Sequence, residues 1–268
     1  MIDIGRRGFL LAGGCAALVA GCEKPLTSRA DWATYAAYDE TLRRQAKETE
    51  ARRDKALEAA LLEETNLHRA GSRRAPLKDH PDLTRAAHAH LANMQAAGFF
   101  AHDTPDGFST TDRVGLICRS LIGGFGENLL LIEGLAKPTA ERLVGLWRES
   151  RGHNANMLKA DFTHAGHAVL RFGDKTYAAA VFGQVVSIMK APMPLETTGP
   201  DLGSWLEGAS PRIVDYVVSE PASAPYRELY PVGGRGPKLL PGAWRLRPLR
   251  AQAGQGLQIL YGPIFIVT

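Results

Sequence analysis

The chain has 268 residues, 45% of them hydrophobic and 22% charged, with a formal net charge of +4. That length holds one sizeable domain and an appendage, and the composition excludes a disordered or fibrous chain. The mild positive charge comes without a basic tract interleaved with aromatic residues, which argues against nucleic acid as a partner.

The first 22 residues, MIDIGRRGFLLAGGCAALVAGC, combine a short basic start, an apolar stretch from Phe9 to Ala20 and small residues before a cysteine. This is the pattern of a signal peptide for secretion, too short for a stable transmembrane helix. Arg6-Arg7-Gly8-Phe9-Leu10 resembles a twin-arginine export motif, and Val19-Ala20-Gly21-Cys22 resembles a bacterial lipobox. The lipobox implies a lipoprotein with acyl chains such as palmitate on Cys22, anchored to a bacterial membrane and facing the periplasm or cell exterior. The competing reading is an ordinary cleaved signal. With Cys15 lost and Cys22 acylated, Cys118 is left alone, so the mature form has no internal disulfide.

Residues 23–56 are rich in Glu, Lys, Arg and Ala without a glycine, which favours helix. Trp32, Tyr35 and Leu42 suggest one apolar stripe. The segment reads as a spacer or as a first helix lying on the following domain. From Leu57 the pattern is amphipathic, with Leu57, Leu61, Thr65 and His68 on one face until Gly71. Pro81 opens a second helix that presents Leu83, Ala87, Leu91 and Met94 and ends near Gly98. His88 and His90, two apart on that helix, read as surface or rim residues.

His102 follows, and then Thr104-Pro105-Asp106-Gly107, a turn. Ser109 and Asp112 form a capping-box-like start for a short helix. The stretch Gly124 to Asn128 puts a carboxylate and an amide between a glycine-rich turn and the apolar run Leu129–Ile132. A helix spans Thr139 to Ser150, with Leu143, Leu146 and Trp147 inward. Ala165–Phe172 and Lys175–Val185 read as two strands joined by a hairpin turn at Gly173-Asp174. Residues 188–200 look like a linker. Residues 201–268 are β-leaning, either an appendage or extra strands on the main sheet, with Pro248 and Pro263 pushing their segments toward sheet edges.

No HExxH helix or Gly-x-Ser-x-Gly elbow is present, and no nucleophile has a recognisable setting. His102, Glu127 and His153 would supply three zinc ligands only if the fold joined them. In order, however, PLKDHPDLTRAAHAHLANMQAAGFFAHDTPDG, GEN, LWRESRGHNANM, DFTHAGHAVL and YAAAVFG resemble the bacterial branch of the CAP superfamily, also called SCP-like. The resemblance covers roughly residues 57–185. It implies an α+β fold, an α-β-α sandwich over residues 57–187, here with an N-terminal helical segment and a C-terminal β-rich extension.

The resemblance also implies a polar cleft of two His and two Glu, which in some members holds a divalent metal such as zinc. It transfers that cleft onto His102, Glu127 and His153, with Glu149 near the place of the second carboxylate. The last strand lacks the histidine of many eukaryotic members, Arg151 stands in place of a usual proline, and His167 in place of a usual glycine. The implied function is a non-catalytic binding module of the cell envelope. Its partners would be the membrane, through the N-terminal lipid, a lipid or small apolar ligand, and an envelope protein. The alternatives are a metal-dependent, peptidase-like hydrolase with Glu127 as base, and a structural envelope protein.

Overall fold

Aspartate side chains start the first two helices: Asp31 and Asp54 each accept a backbone N–H, opening α1 (Trp32–Glu50) and α2 (Lys55–Gly71). The computed structural model describes residues 26–134, 138–198, 201–226, 228–252 and 256–268. The expected signal, its twin-arginine motif and Cys22 lie outside the described residues. No helix among the described residues is long and apolar enough to cross a membrane.

After the short strand β1 (Lys78–Asp79), α3 (Pro81–Ala97) begins with its proline in the first turn and stops at Gly98, whose φ of +68° suits glycine. The reciprocal Ser109–Asp112 capping box starts α4 (Thr110–Ile117). Next come β2 (Leu121–Glu133), α5 (Ala140–Glu149), α6 (Arg151–Met157), β3 (His164–Phe172) and β4 (Lys175–Ile188). The four strands form one sheet in the order β1-β3-β4-β2, with only β1 running parallel to its neighbour.

Strand alternation divides the core into two layers. Ala168, Leu170, Ala179 and Val181 face Leu83, Leu91 and Met94 of α3. Val169, Ala178 and Phe182 face Leu61 of α2 and Leu143 and Trp147 of α5. This is the expected α-β-α sandwich.

Three expectations are corrected. Residues 124–128 are not a turn but the middle of β2, paired with Ala180 to Gln184 of β4. The stripe on α1 is Tyr35, Tyr38 and Leu42, whereas Trp32 is 48% exposed. His88 and His90 are buried, not at the rim. His90 lies seven residues after Leu83, two helical turns on, and therefore shares its inward face. His88 Nε2 lies 2.6 Å from Glu58 Oε1, and Arg53 holds the other oxygen of that carboxylate at 2.7 Å.

The chain beyond β4 builds a second sheet. Its elements are β5 (Glu196–Thr197), α7 (Leu202–Glu207), β6 (Asp215–Ser219), β7 (Tyr230–Pro231), β8 (Gly242–Gln252), β9 (Gly256–Ile259) and β10 (Ile264–Val267). The order is β5-β10-β8-β6-β7, with β9 also on β8. Pro248 is not at an edge, because it sits in β8 opposite Tyr216 of β6. Its carbonyl, and with it its nitrogen, points into the interval between the β10 and β9 pairings, where Leu260 N–H donates to it. The missing N–H therefore breaks no rung.

One side of this second sheet has its own core around Tyr216, Trp244 and Phe265. Other residues of it, Ala243, Ile264 and Ile266, belong to the same core cluster as Leu42, Val114 and Leu116 of the first domain. Arg245, fully buried, donates to the Thr111 carbonyl at 3.0 Å and pairs with the Asp112 carboxylate. Gly123 and Tyr261 exchange backbone hydrogen bonds of 2.9 and 2.8 Å, which ties the free edge of β2 to the extension.

The N-terminal strap completes the joint. Leu26 bonds to the Lys238 carbonyl and the Leu240 N–H, Thr27 accepts from Tyr226, and Ser28 donates to Ala243. From there α1 crosses back, stacking Tyr38 on Phe108 with ring centres 4.0 Å apart, while Tyr35 meets the same ring edge-on.

Candidate functional site

The site forms where α3, the loop at His102, α4 and β2 meet. Gly126 lets β2 pass under Phe162: a Cβ there would come within 3.0 Å of its Cζ. The next residue, Glu127, turns its carboxylate toward α3 and α4 and is buried.

Both carboxylate oxygens are occupied. Arg113 Nη2 donates to Oε1 at 2.7 Å. His102 Nδ1 donates to Oε2 at 3.0 Å, and Thr110 Oγ1 lies 3.3 Å from the same atom. Arg113 is itself positioned by the His102 carbonyl, 2.8 Å from Nη1, and by Thr110 Oγ1, 3.1 Å from Nη2. His90 stands behind the pair. Its Nε2 donates to the Ala101 carbonyl at 2.9 Å and lies 3.9 Å from Glu127 Oε2.

These contacts set the charges. Burial alone would raise the Glu127 carboxyl, but the Arg113 guanidinium, with help from His102, overcomes it and holds the group at about 2. Burial, reinforced by the Arg113 charge, pushes His90 down to about 4, so its imidazole is neutral. His102 is raised by its hydrogen bond to Glu127 against partial desolvation, and its side chain is 53% exposed. His153 is lowered by burial and by the charge of His102.

The structure brings His102 and Glu127 into direct contact and leaves the other two expected residues outside that contact. Alternation along β2 puts Glu127 on the α3–α4 side and Asn128 on the side of α6. Asn128 donates to the His153 carbonyl at 3.0 Å, and Asn156 donates to the Glu127 carbonyl and to Asn128 Oδ1. His153 is tied to β2 through its carbonyl and lies near enough to feel the charge of His102, and among the described residues its ring makes no hydrogen bond to Glu127. Glu149 ends α5 exposed to solvent.

The residues do not fit a zinc ion. Among the described residues no three His, Cys, Asp or Glu side chains are placed to hold a metal. Arg113 holds Oε1, so a metal on Glu127 would have to take Oε2 from the His102 N–H. Of the expected set, His102 and Glu127 are in contact, and among the described residues the His153 ring makes no hydrogen bond to either.

Arg113, His90, Thr110 and the two asparagines were missed by sequence reasoning. The seven-residue step from Leu83 to His90 is a signal that would have found one of them. Arg113 had none, since an arginine beside an N-terminal capping aspartate looks like any exposed helix residue. Arg69 was equally silent. It is buried and donates to the carbonyls of Ala75, Met157, Lys159 and Phe162, which fixes the chain that leaves α6.

A titration follows from this geometry. Followed by NMR, the His102 imidazole should titrate above the usual 6.5 and that of His153 below it. Because the folded His102 value is raised, its bond to Glu127 adds stability below pH 6.5, and that contribution disappears as pH rises through the folded value. Glu127→Gln should bring His102 back toward 6.5. Retention of the upshift in that variant would show that another group holds the ring.

The model of the CAP, or cysteine-rich secretory protein, family matches residues 62–187. The uncharacterized protein YkwD of Bacillus subtilis is 29% identical over 121 residues, which are 44% of this chain and 44% of that protein. The chain thus spans under half the length of that curated relative. Among solved structures, an extracellular SCP-domain protein of Bacillus anthracis is 22% identical with a TM-score of 0.39, over 48% of this chain and 40% of that one. An outer surface protein of Borrelia burgdorferi is 18% identical with a TM-score of 0.39, over 46% and 88% of the two chains.

Proposed function

Residues 62–187 of this chain are a CAP-family domain, and from that premise we propose an exported, lipid-anchored binding module of the bacterial envelope, without catalysis of its own. One observation carries this reading: the Glu127 carboxylate is bonded on one oxygen by Arg113 and on the other by His102, and is held ionised at about 2. A general base works best with a pKa near the operating pH and with a lone pair free for the proton it takes. Glu127 has neither. Its role is to orient His102, fixing Nδ1 as the donor so that the half-exposed ring offers Nε2 outward.

In the neutral ring Nε2 accepts, and in the imidazolium, which the bond to Glu127 favours, it donates. His102 follows the 45%-exposed Phe100 by two residues, and the imidazolium with a nearby aromatic side chain suits a small or lipid-like ligand with an acceptor at one end. The lipid anchor rests on the lipobox at Cys22, and the membrane is then the module's standing partner. An envelope protein partner is the further expectation.

The test uses purified protein titrated with a fluorescent fatty acid and, separately, with zinc, and then assayed on peptide and ester libraries. Fatty-acid binding that weakens at least tenfold in His102→Ala is expected, with no turnover. Zinc-dependent turnover abolished by Glu127→Gln would overturn this reading in favour of the hydrolase. Metabolic labelling with a fatty acid, lost in Cys22→Ser, checks the anchor.

A further inference from the structure

The first described residues do not run onto the CAP domain. Leu26 is clamped between the Lys238 carbonyl and the Leu240 N–H, on the C-terminal extension, in a parallel bridge opposite Leu239. Leu239 packs on the second core. Extended alternation sends Lys238 and Leu240 to the opposite side, and both are exposed, Leu240 at 42%. Arg29, three residues beyond the clamp, is exposed as well, its backbone N–H donating to Glu220.

Chain length now places the membrane. Three residues separate Cys22 from Leu26, and the four steps from one to the other reach at most about 14 Å however they are arranged. A lipid on Cys22 therefore holds the Leu26 clamp within that distance of the bilayer.

Resting on the lipid-anchor reading, we propose that the face carrying Lys238 and Leu240 lies on an anionic phospholipid bilayer. Lys238 and Arg29 supply the attraction to phosphate, and Leu240 enters the interface. The acyl chains supply residence at the membrane, and the surface contact adds orientation. The extension is thus the membrane-facing half, and the module is held in one orientation instead of swinging on its tether.

The test places an environment-sensitive fluorophore on Leu240→Cys in the full, acylated protein, reconstituted in vesicles of phosphatidylethanolamine and phosphatidylglycerol. Cys118 is buried and Cys22 carries lipid, so the introduced thiol is the one that labels. The same label on Leu67→Cys, 59% exposed on α2 of the CAP domain, is the reference. A blue shift at position 240 is expected, with several-fold less quenching by aqueous iodide, while position 67 stays aqueous. Lys238→Glu should reduce the shift.

Acylated protein with position 240 fully open to iodide would overturn the proposal and leave the anchor standing. Mass analysis showing no acyl chain on Cys22 would overturn both. A shift that grows with protein concentration in the absence of vesicles would mean that a second copy covers this face, and would equally overturn it.

Discussion

A chain ending at Met189 is expected to lose its cooperative fold, although it retains every residue of the CAP match. The extension supplies Ile264 and Ile266 to the first core, and burying two such side chains is worth about 3–6 kcal/mol. It also supplies Arg245, the partner of the Asp112 carboxylate at the head of α4. Domains of this size hold only roughly 5–15 kcal/mol in all. The truncated protein should therefore aggregate, or lose near-ultraviolet dichroism while keeping its far-ultraviolet signal. A soluble monomer that unfolds in one sharp transition within about 1 kcal/mol of the full chain would mean that the second sheet only leans on the first.

Arg113→Met is expected to cost roughly 3–5 kcal/mol, because it leaves the Glu127 carboxylate buried without its cation. In the intact protein the depressed Glu127 value contributes stability that is fully present above pH 4.5 and is lost as pH falls toward about 2. In the variant the sign reverses. Burial now raises the carboxyl, so the variant should gain stability relative to the intact protein as the solution is acidified. Adding Glu127→Leu should recover most of the loss, since an apolar pair of similar volume replaces the ions. Denaturant unfolding of the three proteins at neutral and acidic pH measures this. A single variant within about 1 kcal/mol of the parent would show that solvent, not Arg113, supports Glu127.

The helices and the β3–β4 hairpin were legible because periodicity and caps are local signals. Leu83, Leu91 and Met94 mark a buried face in any context, and Ser109 with Asp112 marks a helix start. The site was legible only through ordered motifs, which identified His102 and Glu127 but not the arginine that holds the carboxylate. The ion pair that decides it joins Glu127 to Arg113, on different elements, and neither spacing nor composition announces such a pair. His167 illustrates the same limit. The sequence shows a histidine on a strand, while the structure buries it with both ring nitrogens unpartnered among the described residues, and burial pushes it down to about 4. The extension's role was illegible for a further reason: Ile264 and Ile266 read as ordinary strand residues until their neighbours across the chain are known.

The clamp on Leu26 also sets a clock. Ser28 and Ala243, which it brings together, are 215 positions apart. At synthesis rates of roughly 5–20 residues per second, the strap waits on the order of 10–40 s for its seat to leave the ribosome. During that interval Leu26 and Ser28 have no seat to dock on. Once translation ends, closure of the strap joins both halves in one late, high-contact-order step, so an export route that receives the chain after this step handles a finished, tied body and one that receives it earlier handles two loose sheets.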